Sequence, residues 1–142
     1  MTLHDLERAG LLDAMRVHAR AEAPNECCGL VLRGDPLTLL PCENVADAWH
    51  AADPDTFPRT SRTAYLIDPR VLMAHEGSLV AVYHSHPAGD ARFSPEDVAM
   101  AAPLGEPLWP GLTYVVIGLG DGTADARLFA WDDTTHRYEE RP

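Results

Sequence analysis

The fold is decided by Leu79–Pro87, which reads LVAVYHSHP. The run from Leu79 to Tyr83 is nearly continuous in apolar residues, which is typical of a central strand covered on both faces. The strand leads directly into His84 and His86. Side chains two residues apart on a strand point to the same side of the sheet, so both imidazoles face one way at the end of a rigid element. Such a pair can bind one metal ion.

A third ligand is available eleven residues after His86. Ser94–Asp97, which reads SPED, is typical of a helix start, with a serine cap, proline at the first helical position and an acid at the third. A loop of this length can fold back and bring Asp97 to His84 and His86. Two histidines and one carboxylate leave a fourth tetrahedral position open for water, as in catalytic rather than structural zinc sites.

A catalytic zinc site also needs a general base. Zinc lowers the pKa of its water to about 7, and a base then takes the proton and passes it to the leaving amine. Glu26, just before the apolar run Cys28–Arg33, is the candidate. Each signal alone has an ordinary explanation, since the histidine pair can be incidental, SPED can be only a helix start, and Glu26 is one of 22 acidic residues. Their combination indicates a site.

The sequence on either side of the histidines predicts alternating helices and strands. An amphipathic helix is expected over residues 3–22, and a short helix begins at Pro69 with Asp68 as its cap. Residues 43–62 predict a long surface loop, and residues 103–111 a broken connection. The predicted strands cover residues 28–33 and 37–42, which form a hairpin, and then 65–67, 112–119, 126–131 and the tail at 135–138.

Composition restricts the class of protein. The chain has 142 residues, 46% of them hydrophobic, which fits one domain over residues 1–142. All 11 basic residues are arginine, and 22 acidic residues give a net charge of −11, which argues against binding nucleic acid or anionic membranes. No apolar run has the length of a membrane span, and the N-terminus lacks the pattern of a secretory signal, so we expect a cytoplasmic protein. Three cysteines, two of them adjacent, favour buried, reduced thiols: Cys27, Cys28 and Cys42.

The spacing of these residues matches a family motif. His84-Ser85-His86, seven residues, Ser94, two residues and Asp97 resemble the H-[ST]-H-x7-S-x-x-D signature of the JAMM (MPN-plus, Mov34/PAD-1-like) zinc metalloproteases. Glu26, followed by Cys28-Gly29-Leu30, is similar to the family's glutamate before its second strand. Asn44 and Ile67–Pro69 also lie where small bacterial members have similar residues. The resemblance covers nearly the whole chain, residues 5–131.

The resemblance implies a fold and a role for each motif residue. The fold is α/β (α+β), a single JAMM/MPN domain with a curved mixed β-sheet flanked by helices, similar to cytidine deaminases. His84, His86 and Asp97 bind one zinc ion per chain, and Glu26 activates the water that the zinc binds. Ser94 hydrogen-bonds the oxyanion of the tetrahedral intermediate, and whether its hydroxyl can also cap the helix is left open. Ser85 lies between the ligands and points to the opposite face.

The resemblance also implies a substrate class. JAMM proteins cleave peptide or isopeptide bonds next to the C-terminal Gly-Gly of ubiquitin-like proteins, and small bacterial members are linked to sulfur carriers. The expected partner is therefore a ubiquitin-like or sulfur-carrier protein with a Gly-Gly tail, whose extended tail can add to a strand edge and enter a slot that admits only glycine. The segment after Asn44 is longer than in the short bacterial members, and forms either a flap over this tail or an ordinary surface loop. Its candidate flap residues are Trp49, Phe57, Arg59 and Arg62, and Trp109 is a candidate for the second wall of the cleft.

Other functions remain to be weighed against the protease. A non-catalytic MPN-type scaffold is disfavoured because the chain retains every ligand. A nucleoside deaminase needs an H-x-E motif and a P-C-x-x-C pair, and neither is present. A peptidase module within a larger assembly stays open, as do a homo-oligomer, the identity of the carrier, the nature of the leaving group and the roles of the 45–62 loop and the cysteines.

Overall fold

The apolar run and the two histidines after it form one strand in the middle of a six-stranded sheet. The computed structural model describes residues 1–142, and this strand, β3 (Leu79–His86), is its centre. It pairs antiparallel with β1 (Cys28–Leu32) and parallel with β4 (Thr113–Gly118). Residues 81–85 are buried, as the continuous apolar pattern predicts for a strand covered on both faces.

The remaining strands extend the sheet on both sides. They are β2 (Thr38–Cys42), β5 (Asp125–Asp132) and β6 (Arg137–Arg141), and the order across the sheet is β2-β1-β3-β4-β5-β6. Only β3 and β4 run parallel, so the sheet is mixed and the predicted α/β (α+β) class is confirmed. The predicted hairpin is present as β1 and β2. The tail strand begins two residues later than the sequence suggested.

Helices cover both faces of the sheet. One face packs against α1 (Leu3–Arg8) and α2 (Leu11–Glu22). The other face packs against α4 (Pro69–Ala74) and α5 (Pro95–Ala101), and it is the face to which His84 belongs. None of the helices combines the length and apolar character needed to cross a membrane.

Two sequence predictions about these elements are wrong. The helix expected over 3–22 is two helices, because Gly10 adopts a left-handed φ of 74° between them, a conformation that glycine adopts without steric cost. Residues 65–67 are not a strand. Tyr65 and Ile67 are buried, but the backbone of Leu66 bonds to the segment at Asn44 instead of to the sheet, with its N–H 3.1 Å from the Asn44 Oδ1.

The segment 43–62 is also more ordered than a surface loop. It contains a seven-residue helix, α3 (Ala46–Ala52). Trp49 on this helix packs edge-on against Phe57, with 5.1 Å between the ring centroids, and the carbonyl of Phe57 lies 2.7 Å from the Nδ1 of His50. The two aromatic residues of the predicted flap thus contact each other and fold the segment back on itself.

Candidate metal centre

Three side chains from β3 and α5 converge at one point. The Nε2 atoms of His84 and His86 lie 3.2 Å apart. The two carboxylate oxygens of Asp97 lie 3.1 Å from the Nε2 of His84 and 3.2 Å from the Nε2 of His86. Zinc with bonds of about 2.0–2.1 Å in tetrahedral geometry separates neighbouring ligand atoms by about 3.3 Å. The spacing of these atoms therefore fits a zinc ion.

The chemistry of the donors fits as well. The Nδ1 of His86 lies 2.8 Å from the carbonyl oxygen of Asp90, which accepts a hydrogen bond from the Nδ1–H. The lone pair of Nε2 is then free for a metal. Burial lowers the pKa of His84, which favours the neutral imidazole that a metal requires. The ring of His84 stacks on Tyr65 at a centroid distance of 4.4 Å, which fixes its plane.

The loop that supplies the Asp90 carbonyl lies directly against the end of β4. Gly118 makes this possible, since a Cβ at that position would lie 2.5 Å from the backbone of Asp90 and Ala91. The orientation of the His86 ring thus depends on a close backbone approach at Gly118, which is the register partner of His86 on β4.

Asp97 is fixed by the start of its own helix. The Oγ of Ser94 accepts a hydrogen bond of 3.1 Å from the Asp97 N–H, and a carboxylate oxygen of Asp97 accepts one of 2.9 Å from the Ser94 N–H. Burial alone would raise the pKa of Asp97, but its contacts with His84 and His86 and the hydrogen bond from the Ser94 N–H outweigh burial and hold that pKa well below the ordinary value. Asp97 is therefore a charged carboxylate in a reciprocal capping box, and a candidate ligand.

Glu26 lies beside this trio. Its carboxylate is within 4.8 Å of the ligand nitrogens of His84 and His86, and its side chain is buried, with the residue 5% exposed. Burial raises the pKa of Glu26 to about 7, with a contribution from Asp97 and against the attraction of His86 and Arg59. A carboxyl group with this pKa can both accept and return a proton near neutral pH.

The residues that hold Glu26 in place come from the 44–66 segment. The Glu26 N–H donates to the carbonyl oxygen of Ser61 at 2.7 Å, and the Glu26 carbonyl accepts from the Nδ2 of Asn44 at 3.0 Å. Ser61 in turn donates its N–H and its hydroxyl to the carboxylate of Asp47, at 2.8 and 2.7 Å. The sequence drew attention to Asn44 only through the family resemblance and gave no signal for Ser61 or Asp47, since these contacts depend on how the segment folds.

Ser85 and the cysteines lie outside the metal-binding cluster. Ser85 is buried on the opposite side of β3, where its Oγ accepts a 2.8 Å hydrogen bond from the N–H of Cys27. All three cysteines are free thiols. Burial raises the pKa of Cys27 to about 11 and that of Cys28 further, so both stay protonated at neutral pH and are poor metal ligands.

An apolar cleft adjoins the metal centre. It has a volume of about 180 Å³ and is lined only by hydrophobic residues, among them Tyr65, Met100, Leu108 and Trp109. Tyr65 also stacks on His84, so one lining residue of the cleft contacts the candidate metal-binding cluster. Trp109 belongs to the 103–111 connection, which places that connection on one wall of this cleft.

Comparison with known families gives one match that covers most of the chain. Residues 8–132 match the model of the prokaryotic homologues of the JAB domain.

Three curated relatives share a third or more of their aligned residues with this chain. A probable TtuB-protein conjugate cleaving protease of Thermus thermophilus is 38% identical over 100 residues, which cover 65% of this chain and 60% of the relative. A CysO-cysteine peptidase of Mycobacterium bovis is 33% identical over 114 residues, which cover 80% of this chain and 73% of the relative. Tail tip assembly protein K of Escherichia phage N15 is 33% identical over 97 residues, which cover 66% of this chain but only 34% of the phage protein. The chain thus spans less than two thirds of the Thermus and phage relatives.

Two solved structures have a similar fold. A protein from Desulfitobacterium hafniense superposes with a TM-score of 0.64 at 26% identity, covering 92% of this chain and 84% of that one. A protein from Salinibacter ruber superposes with a TM-score of 0.56 at 26% identity, covering 94% of this chain and 86% of that one.

Proposed function

This chain belongs to the prokaryotic homologues of the JAB domain, and from that membership we propose that residues 1–142 form a single cytoplasmic zinc peptidase domain. Its reaction is hydrolysis of the peptide or isopeptide bond that follows the C-terminal Gly-Gly of a ubiquitin-like or sulfur-carrier protein. The observation that carries the proposal is the convergence of His84, His86 and Asp97 within 3.2 Å, with Glu26 beside them. The names of two relatives, which refer to TtuB-protein conjugates and to CysO-cysteine, support the substrate class.

His84, His86 and Asp97 would hold one zinc ion. When bound, zinc lowers the pKa of water and polarises a carbonyl group, which is the chemistry that amide hydrolysis needs. The two imidazoles supply neutral nitrogen donors, and Asp97 supplies one negative charge. Because β3 and the capping box fix the three side chains independently of the substrate, they bind and orient the ion in advance.

Glu26 is the general base. It accepts a proton from the attacking water and then delivers it to the nitrogen of the leaving amine. Its carboxylate lies within 4.8 Å of the histidine nitrogens, which is close enough to contact a water at the fourth position of the ion. Burial and Asp97 raise the pKa of Glu26 to about 7, which matches the two proton transfers.

Ser94 stabilises the charge that develops on the carbonyl oxygen. In the capping box, its Oγ uses a lone pair to accept the N–H of Asp97 at 3.1 Å. The hydroxyl proton is not used in that bond, so it remains available to donate to the substrate. The two roles of Ser94 therefore use different parts of one hydroxyl.

The apolar cleft beside Tyr65 is the proposed entry for the substrate tail. An extended chain laid along it passes Tyr65, which stacks on His84. The net charge of −11 favours a carrier that has a basic patch on its surface. The flap predicted from Trp49 and Phe57 stays a prediction.

The proposal is tested by metal content and cleavage together. Protein purified without added metal is analysed for zinc, for the wild type and for His84→Ala. Both are then incubated with two substrates: a ubiquitin-fold sulfur carrier whose Gly-Gly is followed by one cysteine, and the same carrier joined through an isopeptide bond to lysine. The control for each substrate is a version in which Ala-Ala replaces Gly-Gly. We expect one zinc per wild-type chain and none in the variant. The wild type should cleave only after Gly-Gly, and whichever of the two substrates is cleaved identifies the leaving group. If the wild type neither contains nor takes up zinc, a non-catalytic scaffold with this fold becomes the better account.

A further inference from the structure

Glu26 lies outside the helices and strands, in the segment between α2 and β1. α2 ends at Glu22, β1 begins at Cys28, and the residues between them form no helix or strand. The hydrogen bonds of Glu26 all involve its main chain. The position of its carboxylate therefore depends on whatever fixes the backbone at this residue.

Asn44 makes the most complete set of contacts to this region. Its Nδ2 donates to the carbonyls of Glu26 and Ala64, both at 3.0 Å. Its Oδ1 accepts from the N–H groups of Ala46 and Leu66, both at 3.1 Å. A side-chain amide has two donor hydrogens and one carbonyl oxygen with two lone pairs, so Asn44 uses its whole bonding capacity. The partners also settle which atom is nitrogen and which is oxygen.

The other side of Glu26 is held by the same segment. Its N–H bonds to the Ser61 carbonyl at 2.7 Å, and Ser61 is held by two hydrogen bonds to Asp47. Both hydrogen bonds from Ser61 lower the pKa of Asp47, so that carboxylate stays charged and the bonds are charge-assisted. Residues 44–61, which contribute no metal ligand, thus bind the N–H and the carbonyl of Glu26, while the next N–H, of Cys27, bonds to Ser85 on β3.

We infer that Asn44 is a positioning residue for the general base, and that the 44–66 segment serves to aim the carboxylate of Glu26 at the metal centre. This inference rests on the proposed function. A displacement of about 1 Å in a catalytic group costs up to about 100-fold in rate, so loss of the Asn44 donors should lower kcat strongly. It should leave the zinc content unchanged, because His84, His86 and Asp97 do not bond to Asn44.

Asn44→Asp is the sharpest test. It keeps the oxygen that accepts from Ala46 and Leu66 and replaces only the NH2 group that donates to Glu26 and Ala64. Asn25→Asp is the matched control, because it adds the same charge next to Glu26 at a side chain that makes no hydrogen bond within the protein. Asp53→Ala is a second control, since it removes a 3.2 Å hydrogen bond to the Thr56 N–H in the same segment without touching Glu26.

Three measurements decide the outcome. We expect Asn44→Asp to lower kcat about 10- to 100-fold with unchanged KM and zinc content, while both controls stay within about threefold of the wild type. In the Glu26→Gln background the same substitution should cause almost no further loss, because a positioning residue acts only through its base. Amide hydrogen exchange at Glu26 should become faster in Asn44→Asp, while exchange at Val115, buried on β4, does not change.

The exchange measurement separates this inference from the proposed function. If the wild type cleaves no carrier, the proposed function fails. Faster amide exchange at Glu26 in Asn44→Asp than in the wild type would then still support the positioning role, whereas unchanged exchange would reject it. If the wild type is active, equal losses in the wild-type and Glu26→Gln backgrounds, or a kcat loss no larger than that of Asn25→Asp, overturn the inference.

Discussion

The metal-binding half of the site and the base half are held by different kinds of interaction. His84 and His86 lie on β3, which has a hydrogen-bonded neighbour on each side, and Asp97 lies in a capping box at the start of α5. Glu26 has no such element around it and is held by the side chain of Asn44 and the carbonyl of Ser61. The proposed ligands are therefore fixed by local structure, whereas the proposed base is fixed by contacts from a distant part of the chain.

This difference separates two requirements of the proposed chemistry. A metal ion needs three atoms at invariant spacing, which a central strand and a capped helix provide. A base that moves a proton from water to an amine has to reach two positions in turn. The main-chain bonds of Glu26 fix the origin of its side chain and leave its carboxylate without a hydrogen bond within the protein. Changes in the two halves should accordingly have different effects on metal binding and turnover.

The largest effect is expected from breaking the metal half. His86→Ala removes one ligand, so the protein should lose its zinc and its cleavage activity should fall by about 10³-fold or more. Elemental analysis and a cleavage assay measure both. His4→Ala, which removes an exposed histidine on α1, is the control and should keep metal and activity. One zinc per chain in His86→Ala would exclude this residue as a ligand.

The next largest effect concerns the base half alone. Glu26→Gln removes the proton acceptor but none of the three ligands, so zinc content should stay at one per chain while kcat falls by about 10²–10⁴-fold. Glu43→Gln, at an exposed acid just beyond β2, should have no effect on kcat. Full activity in Glu26→Gln would show that another group takes the proton, and loss of zinc would show that Glu26 is itself a ligand.

A smaller effect distinguishes the two roles of Ser94. Ser94→Gly removes the hydroxyl but, as a helix cap, glycine costs only a few tenths of a kcal/mol. We expect kcat to fall about 100-fold, with zinc and thermal stability nearly unchanged. Thr2→Gly tests the same capping-box motif on α1, where Thr2 and Asp5 cap each other, and should leave kcat unaffected. If the two variants lose activity equally, Ser94 acts only as a cap.

The smallest effect concerns the pH dependence of stability in the metal-free protein. Burial raises the pKa of Glu26 from 4.5 to about 7, so folding favours the protonated form. Glu26 then lowers the free energy of unfolding progressively as pH rises from about 5 to 7, by roughly 2 kcal/mol. Glu26→Gln has no such dependence, so its stability advantage over the wild type should appear at pH 8 and vanish near pH 4. Urea denaturation of both proteins with chelator measures this, and parallel pH profiles would falsify the raised pKa.

The same division separates what the sequence predicts from what it does not. β3, the His84 and His86 pair and the SPED helix start are local patterns of residues close in sequence, and the structure contains each element where expected. The contact between Asn44 and Glu26 joins residues 18 positions apart and depends on the fold of everything between them. No periodicity or spacing encodes such a contact.

The errors have physical causes of the same kind. A helical pattern of apolar residues continues through Gly10, but the chain turns there because glycine permits a left-handed φ of 74°. The apolar run at 65–67 has the composition of a strand, yet its N–H at Leu66 bonds to the side chain of Asn44. Polar residues in 43–62 suggested a loop, and contacts between Trp49 and Phe57 accompany a helix there instead.

The close approach at Gly118 limits which sequences this fold can accept. Any side chain at that position would push on the backbone of Asp90, whose carbonyl orients the His86 ring. A library that varies β4 would therefore lose variants with even one extra methyl group there, although position 118 is neither a ligand nor a base. Substitutions are thus least tolerated at two kinds of position: at the reacting groups, and where two stretches of backbone pack too closely to leave room for a Cβ.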